Sequence, residues 1–429
     1  MYNVYHDYVV VGSGAGGATI ARELARNGKD VLVIEQGFYQ QKLGSFINAL
    51  RYFDINKITK IPRKSQEGNI LYRAIMAGGT TVVSAGNMVR SLEKELAIYG
   101  INLSQEFAEA EKEMNVGPVA EKLISEGGQS IALAARQLGY RMNLMPKAIN
   151  PDKCKRCGQC VLGCRYGAKW TALDYLQEAE EKGAKIIYNT NVQRVIVNNG
   201  KANGIIGKNS EGEIKISAKI VLIAAGGLGT PVILQNSGIK EAGSNLFMDF
   251  HVHTYGVTKK LNLLHEPQMS MVNLDFLASK GFLLSPFVNH PRPIRFIESG
   301  AKGFTMPTTK TLGIMTKISD DSAGLVSGNG SVSKPVTERD WQKIRAGTAI
   351  AKKILIQAGA DASTFVDSKI AGSHSGGTAA IGKVVDHNLQ TKVDNLFVCD
   401  SSVLPVSTGL PPILTIVALA KRLSKLLTI

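Results

Sequence analysis

The sequence predicts a mixed fold, α/β plus α+β, in which a Rossmann-like dinucleotide-binding domain is joined to a second domain built on an antiparallel sheet. Three observations predict it. The first forty residues show a strand, a glycine-rich turn, a helix and a second strand, and residues 254 to 330 alternate in the manner of strands. The chain of 429 residues is also too long for one ordinary core and suits two domains that share a large interface.

A glycine-rich turn, Gly12-Ser-Gly14-Ala-Gly-Gly17, follows the first predicted strand and precedes the first predicted helix. Gly12 permits the tight turn, Gly14 lets the backbone approach a pyrophosphate, and Gly17 lets the helix pack closely on the strand. The start of the helix, near Ala15, offers free N–H groups and a positive dipole to phosphates. The turn therefore predicts a dinucleotide site.

The second predicted strand, residues 30 to 34, ends in Glu35, which is placed to accept a hydrogen bond from a ribose 2′-hydroxyl. Two later stretches indicate which dinucleotide is bound. Residues 219 to 231 form a buried strand and a proline that starts a helix over 232 to 236, and residues 395 to 402 form a strand followed by a helix over 412 to 426. A nicotinamide dehydrogenase needs neither stretch, whereas a flavin dinucleotide needs further strand ends and a helix N-terminus beyond the first turn.

The second domain is predicted from residues 269 to 276 and 312 to 318, which read as strands, and from Asp320-Asp-Ser-Ala-Gly324, which reads as a hairpin turn. A sequence that resembles a capping box, Thr337-Glu-Arg-Asp340, then opens a long amphipathic helix that runs to about Gln357 and ends at Gly359.

The net charge of the chain is +15, and its basic residues are scattered rather than clustered. A solvated basic surface is therefore favoured over attachment to anionic lipid or docking of an acidic electron carrier, and no nucleic-acid-binding module is recognisable. The first strand opens at residue 7, which leaves no room for a signal peptide, and no apolar run reaches the length of a membrane span. We expect a cytoplasmic protein without a transmembrane segment, with peripheral membrane contact as the remaining option.

Five segments, in this order along the chain, resemble the glucose-methanol-choline (GMC) oxidoreductases, a family of FAD enzymes, and most closely a short, cysteine-containing, cholesterol-oxidase-like branch. The segments are residues 11–37, 76–90, 221–239, 374–382 and 395–422. The resemblance implies an FAD-binding domain assembled from residues 1–91, 151–249 and 366–429, and a substrate domain assembled from residues 92–150 and 250–365. Besides Gly12, Gly14, Ala15, Gly17 and Glu35, it implies that FAD contacts Gly78, Gly79, Thr80, Val192, Ala225, Gly226, Asp400, Pro412 and Ile413.

The resemblance also points to His374, in His374-Ser-Gly-Gly377-Thr378, as the base that takes the proton of a substrate hydroxyl while hydride passes to flavin N5. The sequence departs from the family where relatives carry a second histidine or an asparagine, because this chain reads Gly409-Leu-Pro411-Pro412 and proline offers no hydrogen-bond donor. Either His374 acts alone, or His251 or His253 substitutes, or the reaction is different. A satisfied interdomain pair is the favoured interpretation of His251 and His253.

Four of the five cysteines lie in one segment, at Cys154, Cys157, Cys160 and Cys164. Their spacing is that of iron–sulfur ligands in small bacterial ferredoxins, with Arg165 in place of proline. This predicts one 4Fe–4S cluster, either on all four cysteines or on three of them and another ligand. Tetrathiolate zinc and structural cysteines without a metal are the alternatives.

The function predicted from these features is an FAD-dependent dehydrogenase that oxidises a hydroxyl-bearing small molecule and passes electrons through the cluster to an acceptor other than oxygen. An electron-acceptor protein or a quinone would be its second partner. Two alternatives stay open at this point. One is a flavin-dependent reductase or isomerase of an unsaturated or carbonyl compound, and the other is an electron-transfer subunit whose flavin relays electrons to the cluster.

Overall fold

The computed structural model describes residues 4–56, 58, 61–259, 265–288 and 290–428. Within these residues the strands are β1 Val4–Val11, β2 Val31–Ile34, β3 Ile70–Leu71, β4 Gly117–Pro118, β5 Asn143–Leu144, β6 Pro146–Lys147, β7 Lys185–Ile187, β8 Asn191–Asn198, β9 Lys201–Asn209, β10 Gly212–Ile223, β11 Phe250–Thr258, β12 Met271–Val272, β13 Phe282–Pro286, β14 Thr311–Ile318, β15 Leu325–Val326, β16 Val332–Ser333, β17 Ala360–Asp367, β18 Ala371–Gly372 and β19 Leu396–Val398.

The α-helices of the same residues are α1 Ala15–Arg26, α2 Phe46–Ala49, α3 Glu93–Ala97, α4 Ser104–Glu113, α5 Glu126–Gln137, α6 Ala172–Glu181, α7 Gly226–Asn236, α8 Leu277–Lys280, α9 Arg292–Thr305, α10 Glu338–Gln357 and α11 Ile413–Thr428. Helix α9 is interrupted at Gly300, where the backbone leaves helical geometry. Short 3₁₀ turns lie at Gly79–Val83, Glu121–Leu123, Cys160–Leu162, Thr308–Lys310 and Ser401–Val403.

The first sheet has seven strands in the order β7, β2, β1, β10, β9 and β8, with β19 also paired to β10. Strand β10 has both kinds of neighbour in this sheet, because its last residues run parallel to β1 and β19 while its first residues pair antiparallel with β9. Every residue of β2 is buried, as expected for a parallel strand covered on both faces. Helix α1 packs against α6 and α11. The predicted Rossmann-like domain is confirmed.

The second sheet has six strands, β13, β14, β11, β18 and β3 in order, with β17 also paired to β11. Its pairings are antiparallel except between β18 and β3. Helix α10 lies across this sheet and approaches β14 closely at Gly347, where an added Cβ would lie 2.3 Å from Cγ2 of Thr316. The predicted antiparallel sheet and the helix after it are therefore confirmed, including the capping box that Thr337 and Asp340 form.

Two predictions in this region are wrong. Of residues 269 to 276, only Met271–Val272 form a strand. Asp320–Gly324 does not join two paired strands, because β14 is followed by β15, which pairs with β16. The acidic residues of this turn are used inside the protein instead, since the buried carboxylate of Asp320 lies 2.9 Å from Nζ of the buried Lys334.

The two sheets have separate hydrophobic cores. Apolar side chains of α3 and α4, such as Leu96 and Phe107, belong to the core of the first sheet, whereas Ile131 of α5 belongs to the core of the second. The division of the chain at residues 91, 150, 249 and 365 remains a prediction. Within the residues described above, no helix combines the length and the apolar character needed to cross a membrane.

Helix α7 begins earlier than the sequence suggests, at Gly226, so that Pro231 lies inside it rather than at its start. Proline lacks the N–H that would bond the carbonyl of Gly227 four residues before it. The hydroxyl of the buried Thr378 donates to that carbonyl at 2.8 Å and replaces the missing bond. The helix therefore accepts an internal proline because a residue distant in the sequence satisfies its free acceptor.

Replacing Thr378 by valine keeps the shape of the side chain and removes this hydroxyl. We expect the free energy of unfolding to fall by about 1–3 kcal/mol, because the buried Gly227 carbonyl loses its partner. Urea unfolding of the parent, Thr378→Val and Thr378→Ser measures the effect, and the serine variant should stay closer to the parent because it retains a hydroxyl. Equal stabilities of the parent and the valine variant would show that this bond contributes nothing.

Candidate active site

A long cavity extends from the glycine-rich turn, along the carboxyl ends of β1, β2 and β10, to the polar face of β11 in the second sheet. Ligands of open parallel sheets bind at this end of the strands. Of the residues predicted to contact FAD, the following line this cavity: Gly12, Gly14, Ala15, Glu35, Gly79, Thr80, Val192, Ala225, Gly226, Asp400, Pro412 and Ile413. Gly17 and Gly78 are not among the residues that line it.

The glycines of the turn have two kinds of environment. An added Cβ on Gly12, whose φ is +99°, would lie 2.3 Å from the carbonyl oxygen of Ala224, and one on Gly17 would lie 2.0 Å from that of Gly12. These two positions tolerate no side chain. An added Cβ on Gly14, in contrast, meets no atom within 4 Å. Gly14 therefore faces open space at the N-terminus of α1, which fits the approach of a pyrophosphate.

Glu35 is buried at the end of β2 and accepts hydrogen bonds from the Ser13 N–H at 3.0 Å, the Ser13 hydroxyl at 2.6 Å and the Gly37 N–H at 2.7 Å. Burial raises the pKa of this carboxyl, and the bonds from Ser13 and Gly37 oppose the rise. Ser13 also accepts a bond from the N–H of Gly78. Glu35 thus fixes the glycine-rich turn, a role in addition to the predicted contact with ribose.

Asp400 joins β19 to the start of α7. Its carboxylate accepts hydrogen bonds from the Gly226 N–H at 2.8 Å, the Thr230 hydroxyl at 2.5 Å and the Ser402 N–H at 2.7 Å. Burial raises its pKa, and these donors hold the carboxylate in place at the cavity wall. Asp400, which the resemblance predicts to contact FAD, therefore closes the cavity between the ends of β19 and β10.

His374 lies on the cavity wall, and its Nδ1 is 3.1 Å from Oδ2 of Asp249. Since Asp249 engages Nδ1, the other ring nitrogen, Nε2, is left for a bound substrate. The side chain of His374 is 24% exposed, whereas that of Asp249 is fully buried. A carboxylate that fixes one nitrogen of a histidine is the arrangement of an oriented general base.

Asp249 is the centre of a dense polar cluster. Its carboxylate also accepts hydrogen bonds from Lys317 Nζ at 2.8 Å, the Ser407 hydroxyl at 2.6 Å, the Thr408 hydroxyl at 2.6 Å and the Gly409 N–H at 3.0 Å. Its φ of +49° lies in the left-handed region, which is uncommon for a residue other than glycine. These contacts fix both the backbone and the carboxylate beneath His374.

The charges of this cluster determine its protonation. Burial alone would raise the pKa of Asp249, but Lys317 and His374 lower it well below its usual range, so the carboxylate is ionised. Burial, followed by the charge of Lys317, lowers the pKa of His374, and Asp249 only partly opposes this. His374 is therefore neutral at neutral pH, which is the form that accepts a proton.

Strand β11 places alternate side chains on the cavity. Asp249, just before the strand, and then His251 and His253 point to this side, whereas Phe250 and Val252 belong to the second core. His253 Nδ1 lies 3.0 Å from Oε2 of the buried Glu298. Burial, followed by the charge of His253, lowers the pKa of His251 to about 3. The two histidines thus belong to the cavity wall.

Asp249 and Lys317 were not predicted as site residues. Lys317 is the last residue but one of β14, a strand whose residues are all buried, and its side chain is only 2% exposed. A lysine within a buried strand is a signal of a buried partner, although the sequence does not say which one. Pro411 and Pro412 lie on the same cavity wall, so the position at which the resemblance leads us to expect a polar group is occupied by apolar rings.

The four clustered cysteines are half-buried and form no disulfide. Val161, between two of them, lines the cavity, so the cysteine segment lies next to it. Burial raises the pKa of Cys154, and the neighbouring Cys160, Cys157 and Cys164 add to the rise. In the described part of the chain, however, no three of these sulfurs come within 4.8 Å of one another, whereas sulfurs on one zinc ion lie about 3.8 Å apart.

Two buried lysines lie beside this cysteine segment. Lys147 Nζ donates to the carbonyls of Ala85 and Gln268 and to the side chain of Asn87. Lys169 Nζ donates to three carbonyls, those of Val82, Ser84 and Cys160. Burial lowers the pKa of Lys147 to about 7 and that of Lys169 to about 8, and Cys160 opposes the fall in both. Neither ammonium has a carboxylate within ion-pair distance among the described residues.

Comparison with known proteins identifies the family. The family profile described as GMC oxidoreductase matches residues 6–254 with its N-terminal part and residues 331–420 with its C-terminal part. An uncharacterised protein of Methanocaldococcus jannaschii is 30% identical over 425 residues, which cover 97% of this chain and 98% of the relative. A long-chain-alcohol oxidase of Arabidopsis thaliana is 24% identical over 515 residues, covering 97% of this chain and 67% of the relative.

Solved structures share the fold. Pyridoxine 4-oxidase from Mesorbium loti superposes with a TM-score of 0.75 at 15% identity, over 98% of this chain and 99% of the other. Formate oxidase of Aspergillus oryzae, in a study of its FAD modification, gives a TM-score of 0.75 at 15% identity, over 99% of this chain and 98% of the other. At this identity the likeness shows the fold alone.

Proposed function

The chain belongs to the GMC oxidoreductase family, an FAD-dependent family that acts on CH–OH groups, and we propose that it is a dehydrogenase whose base is His374 held by Asp249. The observation that carries this proposal is the continuity of the cavity. One space joins the open face of Gly14 to the side chain of His374, so a dinucleotide and an oxidisable substrate can meet there. A concave space that joins the two sites favours an enzyme over a relay subunit, whose flavin edge would open on a flat surface.

FAD, when bound, supplies a two-electron acceptor for the hydride of the substrate. The residues proposed to hold it are those of the glycine-rich turn, Glu35, Gly78 to Thr80, Val192, the start of α7, Asp400 and the start of α11. Neutral His374 would take the hydroxyl proton on Nε2, and Asp249 would stabilise the imidazolium that results. The substrate domain, on this proposal, contributes the polar face of β11.

Lys317 is the candidate for the polar partner that Pro411 and Pro412 do not provide. Its ammonium has three donors, one of which goes to Asp249, and the side chain lines the cavity. A second donor directed at the substrate oxygen would stabilise the negative charge that develops as His374 removes the proton. This would explain how alcohol oxidation continues without the usual second histidine or asparagine.

Flavin reduction is expected to depend on pH through His374. The base must be neutral, and its pKa is lowered from about 6.5 by burial and by Lys317. The rate should therefore stay at its plateau from neutral pH to below pH 6.5, and fall only as the pH drops through the lowered pKa. In Lys317→Met the positive charge is gone, so the inflection should move to higher pH. Stopped-flow reduction across the pH range measures both, and an inflection that stays in place would exclude coupling of the two residues.

We propose that electrons leave the reduced flavin through a metal centre on the four clustered cysteines. A bound iron–sulfur cluster would accept electrons one at a time and release them to a one-electron acceptor. Support for this comes from Lys147 and Lys169, because burial lowers the pKa of each and so disfavours its charged form. A thiolate-ligated metal centre would carry net negative charge beside both side chains and would favour their ammonium forms, next to a cavity that Val161 lines.

Metal analysis of anaerobically purified protein tests this part of the proposal. We expect about four iron atoms per chain with matching sulfide, lost in Cys157→Ser and Cys160→Ser and retained in Cys399→Ala, whose cysteine is buried in the first core. Zinc bound without iron would support the clustered cysteines as metal ligands, but it would exclude their role in electron transfer because zinc is not redox-active. Absence of both metals would leave these cysteines as a structural segment.

The substrate class is tested by anaerobic mixing of the purified flavoprotein with primary, secondary and long-chain alcohols. Bleaching of the flavin absorbance by an alcohol supports the dehydrogenase. Reoxidation of the reduced flavin by enones, with no bleaching by any alcohol, would favour the reductase instead.

We also propose that the chain belongs to the short cholesterol-oxidase-like branch of the family and that it is a cytoplasmic protein. Its second partner would be an acceptor protein or a quinone.

A further inference from the structure

We propose that His251, His253 and Glu298 form a binding site for a divalent transition-metal ion in the wall of the cavity. One nitrogen of each histidine and one oxygen of Glu298 lie within 4.8 Å of one another. The three residues are buried, and all line the cavity. Only modest side-chain movement would bring three such atoms to metal–ligand distances of about 2.1 Å.

The backbone already presents these ligands together. His251 and His253 lie on the same side of β11 because side chains alternate along a strand, and their rings are 5.1 Å apart. Glu298 reaches them from α9, with Oε2 3.0 Å from Nδ1 of His253. That separation equals the distance between neighbouring ligands of an octahedral ion with bonds of about 2.1 Å. A metal could therefore replace the proton of this hydrogen bond.

The negative charge of Glu298 has no lysine or arginine partner within ion-pair distance among the described residues. The carboxylate of Glu298 is 1% exposed, and its ion-pair partners in the same residues are histidines alone, His253 and, at 3.9 Å, His290. A buried carboxylate without lysine or arginine requires either a charged imidazole or another cation. A divalent ion supplies that charge.

The ligand set indicates the class of ion. Two imidazoles and one carboxylate suit zinc and iron(II), and leave coordination positions open. The hydroxyl of Tyr72 donates to the other oxygen of Glu298 at 2.9 Å and so fixes the carboxylate. Such outer bonds orient metal ligands in proteins.

The role of the ion rests on the proposed function. At an open position it would bind the hydroxyl oxygen of the substrate as a Lewis acid and lower the pKa of that hydroxyl, so that His374 removes the proton more easily. The ion itself is neither oxidised nor reduced in this role. Because His251 pairs with Lys317 across β11 and β14, the metal and the Asp249–Lys317–His374 cluster would act on one substrate.

Zinc binding to the FAD-loaded protein tests the site without turnover. After treatment with a chelator, calorimetric titration with Zn²⁺ should show one binding event that weakens by about 100-fold or more in His253→Gln and in Glu298→Gln. The glutamine in place of Glu298 can still accept the bond from Tyr72, which protects the fold. His387→Gln, at an exposed position, is the matched control and should bind zinc like the parent.

Cobalt(II) distinguishes this site from the cysteines. The difference spectrum between parent and Glu298→Gln should show ligand-field bands without thiolate charge transfer. Two results would overturn the proposal. One is zinc binding that is lost only when the cysteines are substituted, and the other is equal zinc affinity in the parent and in both variants. In either case, Glu298 would pair with a protonated His253 instead. Either failure leaves the dehydrogenase proposal standing, because flavin bleaching by an alcohol tests that separately.

Discussion

Replacement of His374 by alanine is expected to slow the reduction of bound flavin by substrate by a factor of about 10² to 10⁴, without loss of the flavin. The reason is that His374 lines the cavity and that Asp249 engages only its Nδ1, which leaves Nε2 for the substrate. Without it, the hydroxyl proton has no positioned acceptor while the carbon gives up its hydride. Anaerobic stopped-flow absorbance measures the rate directly.

The control for this variant is His387→Ala, because His387 is exposed and is not one of the residues that line the cavity. It should reduce its flavin at the rate of the parent. A His374→Ala protein that binds FAD and also matches the parent would remove His374 from the mechanism, and would return attention to His251 and His253. Lys317→Met should show a smaller loss than His374→Ala, since Asp249 still orients the base.

Replacement of Gly14 by valine is expected to abolish stable FAD binding while the chain still folds. Gly14 has a φ of −69°, which any residue adopts, and an added Cβ meets no protein atom within 4 Å. The new side chain would therefore occupy only the space proposed for the pyrophosphate. Flavin content after purification and the affinity for added FAD measure the effect.

Gly117→Val is the matched control, because Gly117 lies in β4, away from the cavity lining, and an added Cβ there also meets nothing within 4 Å. It should retain the flavin of the parent. Full flavin occupancy and unchanged affinity in Gly14→Val would place the pyrophosphate elsewhere. Gly12→Val is less informative, because a Cβ at that position would strike the Ala224 carbonyl and disturb the fold itself.

The first sheet could be predicted because its signals are local. The apolar strands β1 and β2, the glycines between them and Glu35 stand in the order that a strand–turn–helix–strand unit requires. Helix α10 was predicted for the same reason, since its capping box and its terminal glycine lie in the sequence beside it. Family resemblance extended this local information to the segments around Asp400 and His374.

Other features depend on contacts between distant residues, and the sequence could not reveal them. The proline inside α7 is tolerated because Thr378 reaches Gly227 from 151 positions away. The acidic turn after β14 reads as a hairpin, yet Asp320 pairs with Lys334 inside the protein. Local patterns indicate what a residue can do, and long-range pairing decides what it does.

The same limit applies to the active site. His374 was predicted from its motif, but its partner Asp249 lies 125 residues earlier, at the crossover between the sheets. Lys317 enters the site only through the pairing of β14 with β11. The alternation of polar and apolar residues from Asp249 to His253 was the available signal, since it predicts one polar face on an otherwise buried strand.

We predict that one chain holds a flavin and a one-electron centre, and anaerobic reductive titration with dithionite tests this most directly. The titration should take up about three electrons per chain, two bleaching the flavin and one producing a paramagnetic signal from the cluster. Uptake of two electrons, with flavin bleaching alone and no iron present, would contradict the proposed exit of electrons through Cys154, Cys157, Cys160 and Cys164. Uptake of none would contradict the flavin site itself.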